Sequence, residues 1–177
     1  MTYTQHYDSP LGGILLAADE EGLTGLWFDG QKYFARTLPK EYAESETPVL
    51  CEAKRWLDIY FSGREPDFTP PLHHVGSAFQ QAVWALLLEI PYGETTTYGA
   101  LARKLAEKQG LTHMSAQAVG GAVGHNDISL IIPCHRVVGA NGSLTGYAGG
   151  VDKKIKLLEL ERADMKSFFV PKKGTAL

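Results

Sequence analysis

Two cysteines in 177 residues, Cys51 and Cys134, stand far apart and in no paired spacing, which excludes a disulfide framework and a CxxC zinc site. Such sparing use of thiols suits a reducing cytoplasm. Long apolar runs are missing too, since no stretch approaches the about 20 residues that a membrane helix needs. The opening MTYTQHYDSP has neither the basic start nor the apolar run of an export signal, so no membrane association is expected. Positive charge is not in excess: 17 Lys and Arg stand against 20 Asp and Glu, a formal charge of -3, which argues against a chain that coats nucleic acid over its whole surface.

What is present is a core and an asymmetry. With 44% hydrophobic residues the chain can bury enough apolar surface to fold without staples. Residues 1–75 hold 6 Lys and Arg against 12 Asp and Glu, net -6, whereas residues 76–177 hold 11 against 8, net +3, so the second part is the one suited to an anion. The first part reads as a small α/β unit. Tyr3 to Tyr7, Gly13 to Ala18 and Gly22 to Phe28 are strand-like and separated by the turn chemistry of DSPLG and ADEEG, which predicts a three-stranded antiparallel meander. Val49, Ala53, Trp56, Leu57, Tyr60 and Phe61 then recur at helical spacing, with Gly63 just past the end. Cys51 on that helix reads as a half-buried packing thiol, because no basic group neighbours it. The proline-rich run REPDFTPPLHH reads as a linker, which places a domain boundary near residue 75, and its His73 and His74 read as a solvent-exposed pair rather than a metal site.

Beyond the linker, Ser77 can cap a helix carrying Phe79, Val83, Leu86, Leu87 and Ile90, which Pro91 and Gly93 stop. TTTYGALARKLAEK supplies a second amphipathic helix, the turn QGLT follows, and SAQAVGGAVG, from Ser115 to Gly124, supplies a third. Helix, short turn, helix is the outline of a helix-turn-helix, and the small residues of the last helix suit either tight packing or close approach to a groove. The stretch IIPCHRVV places Cys134 between a proline and a histidine. A thiol becomes a strong nucleophile as thiolate, which takes a base or cation nearby. Neighbours on an extended strand point apart, so His135 reaches Cys134 only if the chain turns at Pro133 or a water bridges them. A buried thiol beside an incidental histidine and a reactive Cys-His pair both fit these residues.

The pattern PCHRV resembles the acceptor-site signature of the O6-alkylguanine-DNA alkyltransferases, the methylated-DNA–protein-cysteine methyltransferases. FQQAVWALLLEIPYGETTTYGALA, AVGGAVGHN and LTGYAGGVDKKIKLLELE match the same family, so the resemblance is specific over residues 77–161 and rests before that on SPLGG, the three strands and a helix ending YFSG. It implies an α+β protein: a small ribonuclease-H-like N-terminal domain over residues 1–75, and a mostly helical C-terminal domain with a helix-turn-helix over residues 76–177 that binds DNA and accepts the alkyl group. It implies direct-reversal repair, in which Cys134 irreversibly takes the alkyl group of O6-alkylguanine, or of O4-alkylthymine, after the nucleotide is flipped out of the duplex through the minor groove. His135 would take the thiol proton through a water and Glu161 would orient His135. Asn126 would order the turn, and Tyr98 would donate a proton to the leaving guanine. The DNA face would hold Ala116, Gln117, Ala118, Gly120, Gly121, Tyr98 and Arg136; the base pocket would be lined by Ser129, Val137, Gly146, Tyr147 and Ala148. Gln117 departs from the pattern, since many relatives place an arginine there, and weaker, less salt-dependent duplex affinity follows from the missing charge. The chemistry needs no cofactor and no metal, and the protein is expected to act as a monomer. Alternatives are a lesion-recognition protein without transfer, against which Cys134 with His135 and Glu161 argues; a Cys-His hydrolase, for which no oxyanion hole is evident; and a transcriptional regulator, which the small apolar third helix disfavours.

Overall fold

The computed structural model describes residues 1–171. By its contacts the chain divides into two units, Met1–Val75 together with Asp127–Ile131, and Gly76–Asn126 together with the chain from Ile132 onward. The second part of the sequence thus lends five residues to the first unit, a long-range pairing that no local pattern announces.

In the first unit, alternation and turn chemistry give strands β1 (Tyr3–Ser9), β2 (Gly12–Ala18) and β3 (Leu23–Phe28), paired antiparallel in sequence order. The first turn is shaped by Ser9 Oγ, which accepts from Leu11 N–H, and the second by Asp19 Oδ1, which accepts from the N–H groups of Glu21 and Gly22. The sheet exceeds the predicted three strands: β4 (Ala43–Glu44) lies parallel to β1, giving the order β3-β2-β1-β4. Two residues are too few for alternation to show. Helix α1 (Pro48–Phe61), capped by Thr47, buries Leu50, Ala53, Trp56, Leu57 and Tyr60.

Two expectations fail in this unit. Cys51 is exposed, because Leu50 takes the inward position of that turn. His73 and His74 are not a free pair. The chain there runs extended beside β3, bridged at Leu23 and Leu72 with His73 N–H donating to Leu23 O, so consecutive side chains point to opposite sides. His74 turns inward and its Nε2 accepts from Asp127 N–H at 3.1 Å, while His73 Nδ1 stands 2.6 Å from Asp19 Oδ2.

In the second unit, Ser77 and Gln80 form a reciprocal capping box on α2 (Ala78–Leu87), which buries Val83, Trp84, Leu86 and Leu87. Strand β5 (Thr96–Thr97) leads into α3 (Tyr98–Gln109), capped by Thr97 and stopped by Gly110 at φ 67°, a left-handed cap that favours glycine. Helix α4 (Ala116–Gly124) is capped by Ser115. Trp84 Nε1 donates to Ala122 O at 2.9 Å and pins α4 against α2. The expected helix-turn-helix is α3 and α4, with residues 110–115 between them. Strand β6 (Val137–Val138) pairs parallel with β5, and α5 (Val151–Leu160) closes the described elements. The molecule is the α+β protein that the motifs imply.

Candidate active site

Pro133 carries φ -83° and ψ 66° and opens a single 3-10 turn over Cys134–Arg136, with Arg136 N–H donating to Pro133 O at 3.0 Å. The chain therefore turns where an extended strand would have pointed Cys134 and His135 apart. Cys134 is 7% exposed and His135 fully buried.

Helix α5 supplies the other half of the site. At its C-cap, the carboxylate of Glu161 receives three side-chain groups at once. His135 Nε2 lies 2.6 Å from Oε2, Arg136 Nε donates to Oε1 at 2.8 Å and Arg136 Nη2 to Oε2 at 3.2 Å. The N–H of Gly93 also donates to Oε1 at 3.2 Å, and Arg136 Nη1 donates to Ile90 O at 2.7 Å. A carboxylate in this position fixes the tautomer: Nε2 of His135 carries the proton and donates, so the basic lone pair is on Nδ1. Burial alone would raise the Glu161 carboxyl, but the hydrogen bonds and charges of His135 and then Arg136 override it and hold the group far below its ordinary range. Burial pushes His135 down against the pull of Glu161, so the resting imidazole is neutral and the carboxylate's charge is matched by Arg136.

The thiol is stored rather than pre-ionised. Burial raises Cys134, opposed by a hydrogen bond from Asn126 and by the positive charge of Lys154. Asn126 Nδ2 also donates to Ile132 O at 2.8 Å, tying the chain before the turn to the chain entering it. Tyr98, at the first position of α3, is buried, and burial first and then the charge of Cys134 keep its hydroxyl protonated well above the usual phenol range. A protonated phenol that feels the charge of the sulfur can serve as a proton donor.

Lys154 is a buried cation near the site that the motif reading passes over. It is fully buried, and its Nζ donates to Val137 O at 2.6 Å and Thr145 O at 2.8 Å. Burial lowers its pKa to about 8, partly offset by Cys134. One sequence signal points to it: Lys154 lies seven residues, two helical turns, before Glu161 and so on the same face of α5. On the transfer that the motifs imply, Lys154→Met is expected to slow the reaction several-fold and to move the inflection of the rate against pH upward, because thiolate formation loses its cation. Single-turnover rates across pH check both.

The remaining expected residues divide. Gly146, Tyr147 and Ala148 lie on the loop before α5, and the Tyr147 ring meets His135 edge-on at 6.4 Å between centroids. Val137 is buried in β6. Ser129 lies in the segment that packs with the first unit, where its N–H donates to Leu26 O. On α4, Ala116, Gln117, Ala118 and Gly121 are exposed, and a Cβ at Gly121 would meet open space. Three residues expected on the DNA face are buried in the chain without DNA. Gly120 packs inward on α4, Tyr98 is buried at the start of α3, and Arg136 spends its guanidinium on Glu161 and Ile90. The fork of arginine matches a buried carboxylate in two-point geometry, which a charge count along the chain cannot reveal.

Comparison with known proteins matches residues 2–74 to the 6-O-methylguanine DNA methyltransferase ribonuclease-like domain and residues 78–163 to the DNA binding domain of the same enzymes. The chain is 46% identical over 160 residues to the methylated-DNA–protein-cysteine methyltransferase of Methanosarcina acetivorans, covering 90% of this chain and 97% of that protein. It is 42% identical over 161 residues to the protein of the same name from Haemophilus influenzae, covering 90% and 86%. Among solved structures, that of Mycobacterium tuberculosis OGT in complex with DNA superposes with a TM-score of 0.78 at 41% identity, covering 90% of this chain and 92% of that one. An O6-methylguanine DNA methyltransferase from Methanococcus jannaschii superposes with a TM-score of 0.62 at 30% identity, covering 96% and 99%.

Proposed function

This chain belongs to the 6-O-methylguanine DNA methyltransferase family, and from that premise we propose that it repairs DNA by moving the alkyl group of O6-alkylguanine irreversibly onto Cys134. The observation that supports the assignment is the buried His135–Glu161 pair next to the buried Cys134 on one 3-10 turn, with Asn126 hydrogen-bonded to the thiol and the charge of Lys154 acting on it. Nδ1 of His135 takes the thiol proton through a water. The sulfur then forms a bond to the alkyl carbon as the carbon–oxygen bond breaks, and Tyr98 returns a proton to the guanine as charge develops on it. Glu161 stabilises the imidazolium formed in passing. The product is a thioether, so each chain acts once. No step calls for a metal or cofactor.

Duplex DNA is the partner, entered through the minor groove by the exposed side of α4, with Gln117 filling the place of the flipped nucleotide. The base then sits against the loop holding Gly146, Tyr147 and Ala148. A reagent spent through a free thiol suits a reducing compartment, the cytoplasm, and no helix among the described residues is long and apolar enough to cross a membrane.

The test is intact-protein mass after incubation with a duplex carrying one O6-methylguanine, followed by peptide mapping. One methyl group per chain, on the peptide that holds Cys134, is expected. Binding without any gain of mass would make the chain a lesion-recognition protein instead. Gln117→Arg is expected to tighten duplex binding several-fold and to steepen its salt dependence, because it adds a cation to a helix face that has none; equilibrium titrations at three salt concentrations measure it.

A further inference from the structure

The five residues Asp127–Ile131 interrupt the second unit, leaving it after Asn126 and returning at Ile132, two positions before Cys134. Their contacts are with the first unit. Leu26 and Ile128 form a parallel bridge, with Leu26 N–H donating to Asp127 O at 2.8 Å and Ser129 N–H to Leu26 O at 3.1 Å. The Asp127 carboxylate, 2% exposed, accepts from Arg36 Nη2 at 2.7 Å and Arg36 Nε at 3.3 Å. The N–H of the same residue donates to Nε2 of His74, another buried side chain of the first unit. Both ends of the excursion are drawn together by Asn126 Nδ2 and Ile132 O. Within it, Leu130 is buried at φ 71°. A bulky residue in the left-handed region is strained and persists only where its surroundings over-determine it.

None of these groups enters the chemistry of transfer. We propose that Arg36 and His74 are positioning residues for the acceptor turn: by gripping Asp127 from its side chain and its backbone, they hold the strained Asp127–Ile131 excursion in one arrangement, which fixes where the chain re-emerges at Ile132 and so where Cys134 stands. The N-terminal unit thereby serves transfer through a clamp on the chain that leads into the active-site turn. The inference rests on Cys134 being the acceptor.

Without the guanidinium, Asp127 is a buried carboxylate lacking its cation, and the excursion loses its strongest hold. The experiment is single-turnover transfer from an O6-methylguanine duplex to the full chain, carrying Arg36→Leu, Asp127→Asn or Arg36→Lys, with the saturating rate and the duplex dissociation constant measured separately. Arg36→Leu and Asp127→Asn are expected to lower the saturating rate about tenfold, the range of a misplaced reacting group, while the dissociation constant stays within twofold and the endpoint stays at one methyl per chain. Arg36→Lys is expected to recover most of the rate, and the double variant Arg36→Leu with Asp127→Asn to be no slower than either alone. An unchanged saturating rate in both single variants overturns the proposal. So does a loss confined to duplex affinity, which would make Arg36 a DNA contact, or an endpoint that falls in step with the folded fraction, which would make the pair a stability element only. A parent chain that transfers nothing would instead remove the acceptor assignment on which the inference stands.

Discussion

Cys134→Ala is expected to bind the O6-methylguanine duplex as the parent does and to leave every methyl group on the DNA. Binding should survive because the exposed residues of α4, Gln117, Ala118 and Gly121, owe nothing to the sulfur: they stand on a helix fixed from behind by Trp84 and the cap of Ser115. Transfer should vanish completely because no second group can substitute. The other thiol, Cys51, lies exposed on α1, and hydrogen bonding to Glu46 raises its pKa above the ordinary thiol value, the reverse of activation. Cys134→Ser should fail as completely, since an alcohol oxygen is a far weaker nucleophile toward a saturated carbon than a thiolate. Intact mass after prolonged incubation checks the prediction. Any methyl found on the Cys134→Ala chain would show an acceptor elsewhere and end the assignment of this residue.

The helix that presents Gln117, Ala118 and Gly121 is also among the elements most legible in the sequence, and the reason is local. Caps, turn chemistry and apolar periodicity are short-range signals, so Ser77 caps α2 as its position predicts, and α3 and α4 lie within the segments read as helices. What stays hidden is set by partners distant along the chain. Arg36 and Asp127 are 91 residues apart and pair as a fork and a buried carboxylate. His74 has the sequence surroundings of a linker residue, and only the extended chain beside β3 turns it inward. Arg136 stands next to the acceptor motif and carries a charge, which suggests DNA, yet in the chain without DNA its fork is taken up by the buried Glu161. Lys154 is obscured for the opposite reason: in VDKKIKLLELE it is one of three lysines, and only its register with Glu161 separates the buried one from the two that are less so.

Glu161→Gln is expected to keep the thiol, bind the duplex and transfer roughly 10²- to 10⁴-fold more slowly, by analogy with the effect of neutralising the orienting carboxylate in a nucleophile–base–orienter relay. Two losses combine. The neutral amide no longer fixes the Nε2–H tautomer of His135, so the basic nitrogen is correctly placed for only part of the population. It also gives no charge to stabilise the imidazolium, in a buried site where that charge counts most. Arg136 loses its counter-ion as well, and breaking a buried pair from one side costs on the order of 3–5 kcal/mol of stability near neutral pH. The pH dependence distinguishes this cause from a simple packing defect. Glu161 has a folded pKa far below its ordinary 4.5, so the folded state binds its proton more weakly than the unfolded state does. The carboxylate's contribution is therefore full above pH 4.5 and is lost as the pH falls further toward the depressed folded value. The amide of the Glu161→Gln variant does not titrate, so the gap in thermal midpoint between parent and variant should be widest at neutral pH and narrow steadily below pH 4.5. A gap that stayed constant down to acid would mean that shape, and not charge, is what the carboxylate supplies to His135 and Arg136.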